Sequence, residues 1–321
     1  MQIAYLSNRP EILRDTLSSV DRFMSFVDEV VIVIPGSAQS GFDYVKDLLP
    51  ARFIHDESLL RAGRQSLDHS TRNYLLRTAL SEHPSIAEEF IMSDDDYRPL
   101  ATVDPAMFKE NGKYHSYYFY DLVDWIYNET DFDIAQQNTC QVMKYLTYPH
   151  LSYASHMPQI IRKDILGESK KRFSSYSTRL GLCEWSTYFN YAHRHHPELF
   201  HPAQPYKTLC WPDCVTCWPK AYEPDEYLFE NFSPRLYAER GPFSDLAARD
   251  TSSDDPRFAK ILAWSRHELN ALQGKSPDTD TFYRRIAYRL ARPLRRFKDV
   301  LWLQERARMM RISNRLKKLD H

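Results

Sequence analysis

The chain has 321 residues, with 42 Lys and Arg against 43 Asp and Glu and 43% hydrophobic residues. That is enough for one large domain or one domain with an appendage. No run of about 18 apolar residues marks a membrane-spanning helix, and Met1-Gln2-Ile3-Ala4-Tyr5-Leu6 lacks the basic start and longer apolar stretch of a signal peptide, so a cytoplasmic location is expected.

The first 120 residues read as alternating strands and helices. Residues 2–6 form a short apolar strand. Residues 9–26 follow a helical period, with Ile12, Leu13, Leu17, Val20 and Phe23 on one face. Residues 29–34 form a continuous apolar strand that stops at Pro35-Gly36. A short helix over 42–49, a strand over 52–54, a helix over 70–80 and a strand over 90–93 follow, and 114–120 reads as one further aromatic-rich strand. Strands alternating with helices predict a mostly parallel α/β sheet flanked by helices.

The strand ends collect polar groups: Ser7-Asn8-Arg9, His55-Asp56-Glu57 and Asp94-Asp95-Asp96. In a parallel sheet these ends share one edge, where ligands bind. Neither GxGxxG nor GxxxxGK[ST] occurs, so a Rossmann dinucleotide site and a P-loop are unsupported.

The segment Phe90-Ile91-Met92-Ser93-Asp94-Asp95-Asp96-Tyr97-Arg98-Pro99 is the most informative. Three adjacent carboxylates at a strand end repel one another and need a counter-ion. A hard divalent cation bridging the carboxylates to substrate phosphates is a common solution, and an acidic turn without a role is the alternative.

Residues 121–245 are less regular and hold most of the tryptophans and half of the histidines. Cys140 and Cys183 are isolated, whereas Cys210, Cys214 and Cys217 cluster. Reduced thiols are expected; a zinc ion shared with His201 is the competing reading. Residues 246–280 read as a linker with a helix. From 281 to 321 there are 13 Lys and Arg against three acidic residues, with Phe282, Ile286, Leu290, Leu294, Phe297, Leu301 and Trp302 at mostly helical spacing. A basic amphipathic helical tail of this kind suits an anionic membrane surface, the alternative being a helix packed on its own domain. No nucleic-acid motif accompanies it.

The alternating sheet, the strand-terminal Asp-Asp-Asp and the helix that opens at Glu184 together resemble a GT-A (Rossmann-like) glycosyltransferase over roughly residues 1–200. The resemblance implies a nucleotide-sugar donor and an Mn²⁺ or Mg²⁺ ion held by an Asp-x-Asp. Asp96 would ligate the metal, Asp94 would face the ribose or the metal, and Asp95 would lie nearer the sugar. It also implies that Arg64, Asp68 and Arg72 touch the nucleotide or diphosphate, beside Ser7, Asn8 and Arg9 at the first strand end. A donor half over about 1–120 and an acceptor half over about 121–245 follow. A weaker similarity, to Stealth-type sugar-phosphate transferases, rests on the strand running into paired acidic residues; here Ser93 stands where those proteins usually carry Asn.

Inverting transfer needs a carboxylate to take the acceptor proton. Glu184 is expected in that role, kept ionised by the start of its helix, or else it only favours that first turn. His156 would complete the metal shell, bind a diphosphate oxygen or contact the acceptor, unless it only holds a turn. Trp185 and Tyr188 are expected at the acceptor, with core packing as the alternative. The acceptor implied is a lipid-linked bacterial surface glycan, such as O-antigen or capsule, met by a protein peripheral on the inner face of the plasma membrane.

Overall fold

The computed structural model describes residues 1–60, 67–125, 130–209 and 228–239, together with residue 244. These residues group into one compact unit. The expected tail over 281–321, the linker over 246–280, Arg64 and the Cys210, Cys214 and Cys217 cluster lie outside the described residues.

In chain order the strands and helices begin with β1 (Gln2–Leu6), α1 (Pro10–Phe23), β2 (Glu29–Ile34), α2 (Val45–Leu48), β3 (Ala51–His55), α3 (Asp56–Leu59), α4 (His69–Ala79) and β4 (Glu89–Asp94). Short strands follow: β5 (Tyr97–Pro99), β6 (Lys109–Glu110), β7 (Lys113–Tyr114), β8 (Tyr117–Tyr118) and β9 (Tyr120–Asp121). Then come α5 (Asp131–Tyr145), β10 (Leu151–Ser152), β11 (Gln159–Arg162), α6 (Lys163–Ser177), α7 (Glu184–His195), β12 (Gln204–Pro205), β13 (Thr208–Leu209), β14 (Phe229–Asn231) and α8 (Pro234–Tyr237).

The main sheet has the order β11-β4-β1-β2-β3. β1 to β4 are parallel, and β11 pairs antiparallel with β4. The expected mostly parallel α/β sheet is therefore present. β2 is buried along Val30–Ile34 because helices cover both faces, which is why it reads as an unbroken apolar run. α1 turns Leu13, Thr16, Leu17, Val20 and Phe23 inward, and Pro10 opens it where the missing N–H costs nothing.

The single strand expected over 114–120 is instead three short ones. The Tyr117 N–H donates to the Gln159 side chain at 2.8 Å and the Phe119 N–H donates to Ser152 O at 2.7 Å. These partners lie on different segments, so no one neighbour runs the whole length. The register that matters most pairs Leu6 with Asp94. It sets the turn after β1 beside the acidic segment after β4.

Candidate active site

The acidic segment is surrounded by cationic side chains of this chain. The Arg9 guanidinium spans two carboxylates: Nε donates to Asp95 Oδ2 at 3.2 Å, and Nη2 donates to Asp95 Oδ1 and, at 2.9 Å, to Asp96 Oδ2. Ser7 Oγ donates to Asp95 Oδ2 at 2.6 Å, and Thr16 of α1 donates to Asp95 O at 2.7 Å. Asp95 is buried by these contacts. It anchors the β1 turn to the β4 turn rather than lying open to a sugar. Asn8 is exposed between Ser7 and Arg9.

Asp94 is held from two other directions. Arg77, on the buried face of α4, donates from Nη2 to Asp94 Oδ1. His156 Nδ1 lies 2.7 Å from Asp94 Oδ2, an ionic contact off the hydrogen-bond line, while the Asp94 N–H donates to His156 O at 3.1 Å. His156 adopts φ 58°, a left-handed conformation that costs a non-glycine residue energy and that clusters at functional sites. Tyr97, Phe132 and Trp185 surround its ring.

Arg77 also reaches Glu184. Its Nε lies 3.3 Å from Glu184 Oε1, outside hydrogen-bond geometry, and its guanidinium sits 5.1 Å over the Trp185 ring. Arg77 is not among the arginines expected at the site, Arg9, Arg64 and Arg72. The available signal was an arginine three residues after Tyr74, on the apolar side of its helix, where an unpaired charge is costly. Glu184 opens α7, and the approach to it is fixed by α5: Asn138 Nδ2 donates to Gly181 O at 3.1 Å, and Thr139 Oγ1 accepts from the Cys183 N–H at 2.8 Å. A side chain at position 181 would press within 3.3 Å of Thr71 Oγ1, so glycine permits this close passage.

Electrostatics sort these groups. Burial pushes the Asp94 carboxyl up, but the nearby charges of Arg77 and His156 outweigh it and hold Asp94 well below the usual carboxylate range. Asp96 is pushed up to about 6 by burial and by the charge of Asp94, against the pull of Arg9. Burial alone would lower His156, yet the Asp94 carboxylate raises it above an ordinary histidine. Glu184 was expected to be kept ionised by the start of its helix. Burial instead raises its carboxyl, with Arg77 opposing, because desolvation of a buried carboxylate exceeds the helix-end effect.

Other expected site residues have structural partners of their own. Asp68 caps α4, accepting from the Thr71 N–H at 2.9 Å. Arg72 pairs with Asp56 at the end of β3, and Glu57 accepts from the Gly36 N–H at 3.2 Å. Trp185 and Tyr188 are core residues, 0% and 1% exposed. The Tyr188 hydroxyl accepts from the Arg162 N–H at 2.8 Å. Neither offers surface to an acceptor, since α7 turns this face into the protein.

Four carboxylates, Asp94, Asp95, Asp96 and Glu184, thus meet Arg9, Arg77 and His156, leaving negative charge in excess. Asp94, Asp96 and His156, expected as metal ligands, are paired here with Arg77, Arg9 and one another. Among the described residues, three ligand atoms already gathered as for a metal occur instead at Glu110, His115 and His201.

No family model matches the chain, and no curated protein matches it. Solved structures similar to it include mouse xyloside xylosyltransferase 1 in its apo form, at 14% identity and TM-score 0.42, covering 72% of this chain and 96% of that one. The galactosyltransferase LgtC, in complex with donor and acceptor sugar analogs, matches at 10% identity and TM-score 0.45, covering 82% and 95%. An active-site mutant of LgtC matches at 10% identity and TM-score 0.44. At such TM-scores the chemistry of this chain rests on its own crevice.

Proposed function

We propose that the chain is a metal-dependent glycosyltransferase that moves a sugar from a nucleotide-sugar donor to a glycan acceptor. The observation that carries this reading is the Arg77 guanidinium, which joins Asp94, at the carboxyl end of a parallel strand, to Glu184, at the start of a distant helix. Acidic groups from separate segments thereby meet at the sheet edge where α/β proteins bind ligands.

Asp94 and Asp96, with His156, would hold Mn²⁺ or Mg²⁺, which supplies charge stabilisation to a leaving diphosphate. Arg9, half exposed while it pairs with Asp95 and Asp96, can turn part of its fork to a phosphate oxygen. Glu184 takes the proton of the acceptor hydroxyl. Burial raises its carboxyl, which brings its basicity nearer to neutral pH, as a general base requires. The finer reading is a lipid-linked bacterial surface glycan as acceptor, such as O-antigen or capsule. It is supported by the excess of basic residues after position 280.

The test is a melting-temperature screen of nucleotides and nucleotide sugars with and without Mn²⁺, followed by product analysis with the ligand that stabilises most. Metal-dependent stabilisation and release of a nucleoside diphosphate are expected. Release of a nucleoside monophosphate would replace the reading with sugar-phosphate transfer, and absence of any nucleotide-dependent shift would reject the enzyme reading.

A further inference from the structure

Away from the acidic crevice, a second set of metal-competent side chains is held by backbone geometry. Asn111 and Gly112, at φ 51° and 78°, make the two-residue turn joining β6 to β7. Both central residues are left-handed, as this hairpin type requires. Glu110 is the last residue before the turn. The ladder continues past β7, where the His115 N–H donates to Phe108 O at 3.0 Å. Residues 200–204 then run alongside 114–116: the His201 N–H donates to Tyr114 O and the Gln204 N–H donates to Ser116 O, each at 2.9 Å.

This pairing stacks the His115 and His201 rings, with centroids 4.3 Å apart and planes at 14°. His115 Nε2 lies 3.8 Å from Glu110 Oε2. One potential ligand atom from each of Glu110, His115 and His201 lies within 4.8 Å of the other two. His201 Nε2 is 3.0 Å from the Glu110 carbonyl oxygen, which can only accept, so that nitrogen carries the proton and Nδ1 keeps a free lone pair. Histidine metal ligands are usually fixed by just such a bond from the other ring nitrogen. Gln204 Nε2 lies 3.3 Å from His115 Nδ1. An amide turned end for end there would accept an Nδ1–H and leave Nε2 for a metal. Ligand atoms around tetrahedral zinc at about 2.0–2.1 Å stand roughly 3.4 Å apart. Closing the present spacing therefore asks for a shift of about an ångström, and Glu110 is exposed and free to swing.

We propose that Glu110, His115 and His201 form a binding site for a borderline transition-metal ion of the zinc class, pinning the β6–β7 hairpin to the segment 200–204. Two imidazoles and one carboxylate favour such an ion over Mg²⁺, which prefers oxygen ligands. The three side chains leave a fourth position for water. The site stands independently of glycosyl transfer.

The full chain, stripped with a chelator and dialysed free of it, would be titrated with Zn²⁺ by calorimetry and with Co²⁺ by visible absorption. The wild-type protein is expected to bind Zn²⁺ in competition with Co²⁺ and in the presence of excess Mg²⁺. Glu110→Gln, at an exposed position that folding does not need, should weaken binding about 10–100-fold, and the double variant H115Q/H201Q should abolish it. Zinc affinity untouched by both the Glu110 and the double-histidine variants would overturn the proposal. So would a Co²⁺ spectrum dominated by thiolate charge transfer, which would assign the metal to the cysteines.

Discussion

Arg77 Nε lies 3.3 Å from Glu184 Oε1 while its Nη2 holds Asp94, so one buried guanidinium compensates two carboxylates from separate segments. Arg77 is 4% exposed. Removing one partner from such a group leaves uncompensated buried charge, at a cost on the order of 3–5 kcal/mol. Arg77→Met is expected to lower the free energy of unfolding, measured by urea titration, by that amount, and Arg77→Lys by less. The double variant R77M/E184Q should recover part of the loss, because the orphaned carboxylate is gone. If R77M is as stable as wild type, the guanidinium is not compensating these carboxylates.

Asp96 and Asp95 sit side by side but answer differently to the same substitution. Asp95 accepts from Ser7 and Arg9 and is enclosed by the β1 turn. Asp95→Asn should therefore destabilise the fold, by about 1–3 kcal/mol for a buried charged hydrogen-bond acceptor. Asp96 is crowded by the charge of Asp94. In metal-free protein Asp96→Asn should hold or raise the melting temperature while abolishing any stabilisation by Mn²⁺ with nucleotide. Equal melting losses for the two variants would remove the distinction.

The parallel core was legible because β1, β2 and β4 are short apolar runs with clear stops, and because α1 keeps its buried residues on one helical face. α5 was not legible. Its buried side includes Gln136, Gln137, Asn138 and Thr139, polar residues that reach partners such as Ser152, Gly181 and Cys183 instead of packing as an apolar face. The capping pair Thr130 and Asp133 was the signal for its start. The acidic segment and Glu184 were found by residue type. Arg77 was not, because its partners are revealed only when β4 and α7 come together. Trp185 and Tyr188 were read toward an acceptor, although aromatic residues on the buried side of an amphipathic helix pack inward.

His193 gives a pH dependence with a definite sign. Burial pushes its imidazole down to about 4, and Ser116 Oγ lies 2.7 Å from Nε2. The folded state therefore prefers the neutral ring. The stabilisation is fully present above the unfolded value of about 6.5 and is lost as pH falls through about 4. By linkage the loss reaches roughly 2 kcal/mol at pH 5. Melting curves of wild type and His193→Gln, taken from pH 7.5 to 4.5, should converge as the pH drops. A constant separation across that range would mean that His193 does not titrate on unfolding.

The basic tail gives the last expectation, and it rests on sequence. Thirteen Lys and Arg lie after residue 280, interleaved with Phe282, Leu290, Leu294, Phe297, Leu301 and Trp302. Each basic residue near an anionic leaflet contributes about 1 kcal/mol, and burial of the apolar side chains adds to it. A lipid-linked acceptor is confined to the same leaflet, so anchoring would raise its local concentration at the crevice. Deletion of residues 281–321 should release the protein from anionic vesicles and lower transfer to a lipid-linked acceptor, while transfer to a short soluble acceptor persists. The Asp94, Asp96 and Glu184 side chains lie outside the deleted segment. Co-sedimentation with phosphatidylserine vesicles at low and high salt separates the contributions, because the electrostatic part falls with ionic strength and the apolar part does not. Equal sedimentation of full-length and truncated protein would exclude the tail as a membrane anchor.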